Sequence, residues 1–128
     1  MDGAAVLSKK MLFEFKDAKT GGVIAEETVK VLRALGGRIS HKGRIVGHLK
    51  CLVRSGDRYV QISAANFPDV SVIAGPGWYE REYGRVELII NVIVFGYSEA
   101  QLEEFLNDSR EGSIFREGGR KSGRRAFR

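Results

Sequence analysis

A single cysteine, Cys51, stands among 128 residues. Alone it cannot close an intrachain disulfide, which fits a reducing compartment. Long apolar runs are missing too. None approaches the roughly 18–20 residues that span a bilayer, so neither a transmembrane helix nor a membrane partner is expected. Residues 1–10 read as a flexible N-terminus without the basic-then-apolar order of a secretory signal. The expected location is cytoplasmic.

Patterns for metal binding and catalysis are equally sparse. His48 and Cys51 have a His-x-x-Cys spacing, but an odd offset along a strand points them to opposite faces. His41 lies a further odd offset away. Zinc needs three or four convergent ligands, and no metal site is assigned. No Gly-x-Ser-x-Gly elbow accompanies Ser63 or Ser71. Gly118-Gly119-Arg120-Lys121-Ser122 lacks both the preceding strand and the Gly-Lys order of a phosphate loop. No cofactor and no catalytic residue is assigned, and a non-enzymatic protein is expected.

What is present divides in two. From Arg110 to Arg128 there are seven basic residues against two acids, which equals the whole net charge of +5. The segment before it is electrically balanced, with an apolar pattern suited to one packed core. The expectation is a single domain over 11–109 and a disordered, basic Gly/Arg tail over 110–128. Arg116, Arg120, Lys121, Arg124, Arg125 and Arg128 are the candidate nucleic-acid contacts. Such contacts release counterions and weaken steeply with salt. The body offers no RRM signature or recognition helix, so nucleic acid stays the alternative partner.

Along the body, Met11 to Lys16 reads as a short strand and Asp17 to Gly22 as a turn. From Val23 to Leu35 the period becomes helical, with Ile24, Thr28, Val31, Leu32 and Leu35 on one side, and Gly36-Gly37 reads as the stop. The runs 45–53 and 58–64 alternate around Gly56-Asp57. A two-residue turn sets Val53 opposite Val60, Cys51 opposite Ile62 and Leu49 opposite Ala64; a slip of one residue would scatter the apolar side. Val70 to Ala74 is a further short strand, followed by a Pro76-Gly77 turn. Val86 to Phe95 is apolar on both faces and reads as a central strand covered on two sides. Ser98 and Gln101 form a capping box that starts a helix to about Asp108. The fold class is α+β: a mostly antiparallel sheet of four to five strands with two helices, in the order β-α-β-β-β-β-α.

If both helices cover the aliphatic face of the sheet, the other face is a mixed polar and apolar surface. The ligand or interface candidates on it are His48, Lys50, Tyr59, Asn91, Ile93 and Phe95. Apolar side chains left open in this way mark an interaction site. The expectation is self-association through this face as a homo-oligomer, with His48, Lys50 and Asn91 giving polar specificity. The competing reading folds the loop 65–85 over it. Trp78, in the loop from Gly75 to Gly84, is either an aromatic binding tip or an anchor buried against the domain edge.

The runs Gly47-His48-Leu49-Lys50-Cys51-Leu52-Val53, Gly56 to Ser63 and Asn91 to Gly96 carry a likeness. They resemble the small α+β domain that follows the GTPase domain in CobW-type metal-handling proteins, where a Gly-His-x-Lys strand is frequent. The resemblance spans Leu12 to Leu106 in pattern and those three stretches in residues. The sequence carries no GTPase portion and no counterpart of that family's metal-binding cysteine motif. What the resemblance implies is a stand-alone accessory domain, with His48 and Lys50 at the matching positions. The functional expectation is therefore a small binding or regulatory module, self-associating through its sheet face. The alternatives are a nucleic-acid-associated protein and an accessory domain for metal or small-ligand handling.

Overall fold

The computed structural model describes residues 4–40, 47–115 and 120–121. Their order is β1 (Ala5–Thr20), α1 (Gly21–Ile39), β2 (Gly47–Ser55), β3 (Arg58–Asn66), β4 (Asp69–Ala74), β5 (Glu82–Val94), α2 (Glu99–Arg110) and β6 (Arg120–Lys121). A 3-10 turn at Trp78–Glu80 precedes β5. The strands form one antiparallel sheet in the order β4-β3-β2-β5-β1-β6, with two residues in the last. The α+β class and the element order through α2 are those read from the sequence, and β6 is added from the segment expected to be disordered. Both helices share one core with a single sheet face. No helix among the described residues is long and apolar enough to cross a membrane.

The β2–β3 hairpin has the expected register: Val53 pairs with Val60, Cys51 with Ile62 and Leu49 with Ala64. All six are buried. Gly56, at φ 62°, supplies the left-handed turn residue that a two-residue hairpin needs. The capping box of α2 is also present. Ser98 Oγ accepts from the Gln101 N–H at 3.1 Å, while Gln101 Oε1 accepts from the Ser98 N–H at 2.8 Å.

Several boundaries differ from the sequence reading, each for a reason that lies elsewhere in the chain. The first strand does not begin at Met11 after a flexible N-terminus. It starts at Ala5 and pairs with β5 from Ala5↔Val94 to Glu14↔Arg85, because Leu7, Met11 and Phe13 share the buried face. Gly36-Gly37 does not stop α1, which continues to Ile39. Gly36 instead admits the Phe67 ring, which would lie only 2.3 Å from an added Cβ. β5 is central, between β1 and β2, yet it is not covered on two sides: from Val86 to Val94 its even positions are buried, whereas Ile93 is 41% exposed.

The domain does not close at residue 109 either. α2 ends at Arg110, and the chain then turns back so that Ser113 and Phe115 are buried. Phe115 stands edge-on to Phe13, ring centres 5.0 Å apart, and its carbonyl accepts from Arg110 Nη1 at 2.8 Å. Arg110 thus serves the core, and burial lowers the pKa of its guanidinium. Arg120 and Lys121 pair through their backbones with Leu12 and Met11. Arg116, Arg124, Arg125 and Arg128 lie outside the described residues, as does His41.

Candidate functional site

The face of the sheet away from the helices is built in rows by the strand registers. Ser8, Asn91, Lys50, Ser63 and Ser71 stand side by side across five strands. One row further along come Lys10, Ile89, Leu52, Gln61 and Ile73; on the other side Val6, Ile93 and His48. Directly opposed residues sit about 4.5–5.5 Å apart at Cα, so side chains within a row touch. A polar row therefore runs between two rows that carry aliphatic side chains.

At the centre of this pattern lies a depression of about 520 Å³ lined by His48, Leu49, Lys50, Ser63, Asn91 and Ile93. Its polar groups are mainly hydrogen-bond donors. Ser8 Oγ donates to Asn91 Oδ1 at 2.8 Å, which fixes the amide and leaves its NH₂ as the outward group. The Lys50 ammonium can only donate, and it makes no hydrogen bond or ion pair with another described residue. Ser63 and His48 can each donate as well. No carboxylate is among the described lining residues. The next acid along β5 on this face, Glu87, is held by Arg54 at 2.7 Å, two rows from Asn91.

Four of the sequence candidates, His48, Lys50, Asn91 and Ile93, thus meet in one place. The others do not. Tyr59 is on the same face but opposite Arg54, with its ring against Gly75. Phe95 follows the end of β5 and is 49% exposed, outside the depression. Trp78 is fully buried, which settles the two readings of its loop in favour of the anchor. Its indole N–H donates to the Gly21 carbonyl at 3.0 Å, and its ring stacks on Tyr83 with centres 4.3 Å apart. The loop 65–85 accordingly supplies β4 and a plug beneath α1, and does not fold over the open face. Ser63 joins the four that meet through the hairpin register that the sequence already implies; Ser8 becomes visible only once the alternation of Leu7 and Met11 extends the first strand backwards.

Cys51 belongs to the opposite side of β2. It is 1% exposed, and burial pushes its thiol up to about 12. A thiol held neutral in this way is a core group and a poor nucleophile. Among the described residues no three His, Cys, Asp or Glu side chains gather as metal ligands. Compared with known proteins, the chain matches no family model, no curated protein and no solved structure.

Proposed function

We propose that this protein is a small non-enzymatic binding module whose working surface is the open face of its sheet. The ligand class is a carboxylate carried on an apolar body, such as a fatty-acid-like small molecule. The observation that carries the reading is the convergence of Lys50, the oriented Asn91 amide, Ser63 and His48 on one depression without a lining carboxylate, beside the exposed Ile93. Charge-assisted hydrogen bonds to an anion are the stronger kind. Ile93, with the exposed Val6 opposite it in the β1–β5 ladder, would take the apolar part. The likeness of the Gly-His-x-Lys strand to CobW-type accessory domains agrees with a ligand-handling role for His48 and Lys50.

Calorimetric titration with hexanoate, and with hexanamide as the uncharged isostere, tests this. Heat is expected for the acid alone, and its loss in Lys50→Gln and Asn91→Asp. Equal responses to acid and amide, or an unaffected Asn91→Asp protein, would defeat the assignment. A second reading is a copy of the chain docked on the same face, favoured by the exposure of Val6 and Ile93 opposite each other in the β1–β5 ladder. It requires a solution mass that rises with concentration and falls in Ile93→Asp.

A further inference from the structure

β4 is the outermost strand on its side of the sheet. The N–H of Gly75 donates to the carbonyl of Tyr59 at 2.9 Å, one step beyond the Val60↔Ala74 pair. Hydrogen-bonded pairs recur at every second residue of an antiparallel ladder, so Ser71 and Ile73 turn their backbone groups towards β3. Val70, Val72 and Ala74 turn theirs outward. Edges of this kind are ordinarily blunted by lysine, proline or a covering loop. From Val70 to Ala74 there is neither charge nor proline, and Val72 and Ile73 are 42% and 58% exposed.

We propose that β4 is a dimerisation edge that pairs antiparallel with β4 of a second copy of this chain, centred on Val72 opposite Val72. A two-fold axis perpendicular to the sheet then sets Val70 opposite Ala74 on both sides. All the outward groups are used, three residues from each strand, giving a complete ladder without disturbing β3. The alternation also keeps the helix-covered faces of both sheets on one side. Asp69 falls opposite Gly75, so no like charges meet.

The helix above the edge argues for a second copy as the occupant. Between α1 and β4 lies a groove of about 590 Å³, lined by Ala25, Val29, Val72 and Tyr79 with Glu26 and Arg33 at its rim. α1 packs over β3, one strand in from the edge. Pairing two copies would set the α1 helices antiparallel and roughly 14 Å apart, three strand spacings. In that arrangement Glu26 of each helix comes opposite Arg33 of the other. Neither makes an ion pair with another described residue. The groove of one copy thus continues into that of the next, with complementary charges across the joint.

Disulfide trapping tests the register. The only native thiol is buried, so it does not compete. Opposed Cα atoms in a hydrogen-bonded pair stand about 5.5 Å apart, within disulfide reach, whereas residues 73 of the two copies are diagonal neighbours at about 7–8 Å. With oxidised glutathione, Val72→Cys should cross-link at least about ten-fold faster than Ile73→Cys. The unmodified chain should approach twice its 14.2 kDa mass at high concentration. Val72→Lys should return it to the monomer mass, and Ile93→Asp should leave the dimer intact. If Val72→Lys fails to fold, the cross-linking ratio decides. Equal cross-linking rates, a monomer at millimolar concentration, or a dimer abolished by Ile93→Asp would each overturn the proposal.

Discussion

The same substitution at two glycines of α1 should move stability in opposite directions. At Gly37 an added Cβ meets nothing within 4 Å, and the position is exposed. Gly37→Ala should therefore gain up to about 1 kcal/mol of helix propensity. At Gly21 the added Cβ would lie 2.4 Å from the Trp78 carbonyl oxygen and 3.0 Å from its indole nitrogen. Neither atom can retreat freely. The carbonyl accepts from the Tyr83 hydroxyl at 2.9 Å, the indole N–H donates to Gly21 itself, and the Gly21 N–H donates to the Arg81 carbonyl at 3.1 Å. Overpacking of a tight site costs about 1–3 kcal/mol, and a strained hydrogen bond adds about 1 more. Gly21→Ala should lose about 2–4 kcal/mol in all, outweighing any propensity gain. Urea unfolding followed by tryptophan fluorescence reads both, since Trp78 reports on the affected site. Thermal melts should differ by roughly 3–5 °C per kcal/mol for a chain of this size. A neutral Gly21→Ala, or shifts of the same sign at both positions, would refute the account of how the first helix is locked to the sheet.

Phe115→Ala should cost about 3–5 kcal/mol in the same assay, because it empties a fully buried site against Phe13; a loss below 1 kcal/mol would mean that the residues after α2 do not belong to the core. Ser98→Ala should cost about 1 kcal/mol by removing one half of the α2 capping box. Cys51 stays neutral in the fold up to about 12, whereas its ordinary value is 9.0. The unfolded chain therefore loses that proton first as pH rises, and stability present below pH 9 is given up between 9 and 12. Urea midpoints across that range should fall more steeply in the unmodified chain than in Cys51→Ala, and parallel slopes would contradict a buried thiol.

What could be read from the sequence was local and periodic. The β2–β3 register followed from the alternation of Leu49, Cys51 and Val53 against Val60, Ile62 and Ala64, where a slip of one residue inverts every side chain. The capping box of α2 is a four-residue pattern with its own mechanism. Features set by distant partners were hidden. Gly36 looks like a helix stop until the Phe67 ring is placed against it. Phe115, after a glycine and a serine, looks like part of a polar tail until Phe13 is found opposite. The candidate site was half visible for the same reason. His48 and Lys50 share a strand face by spacing, and the hairpin register sets Ser63 opposite Lys50, whereas the adjacency of Asn91 and Ser8 to Lys50 depends on the strand order β1-β5-β2. That order rests on non-local pairing, which period alone does not encode.

The most direct test of the proposed working surface is an isoleucine-methyl NMR spectrum recorded with and without hexanoate. The account predicts that the Ile93 methyl shifts with the acid and not with hexanamide, while the buried Ile62 and Ile90 methyls on the helical side stay in place. An Ile93 signal indifferent to the acid, or shifts spread equally over the core isoleucines, would contradict it.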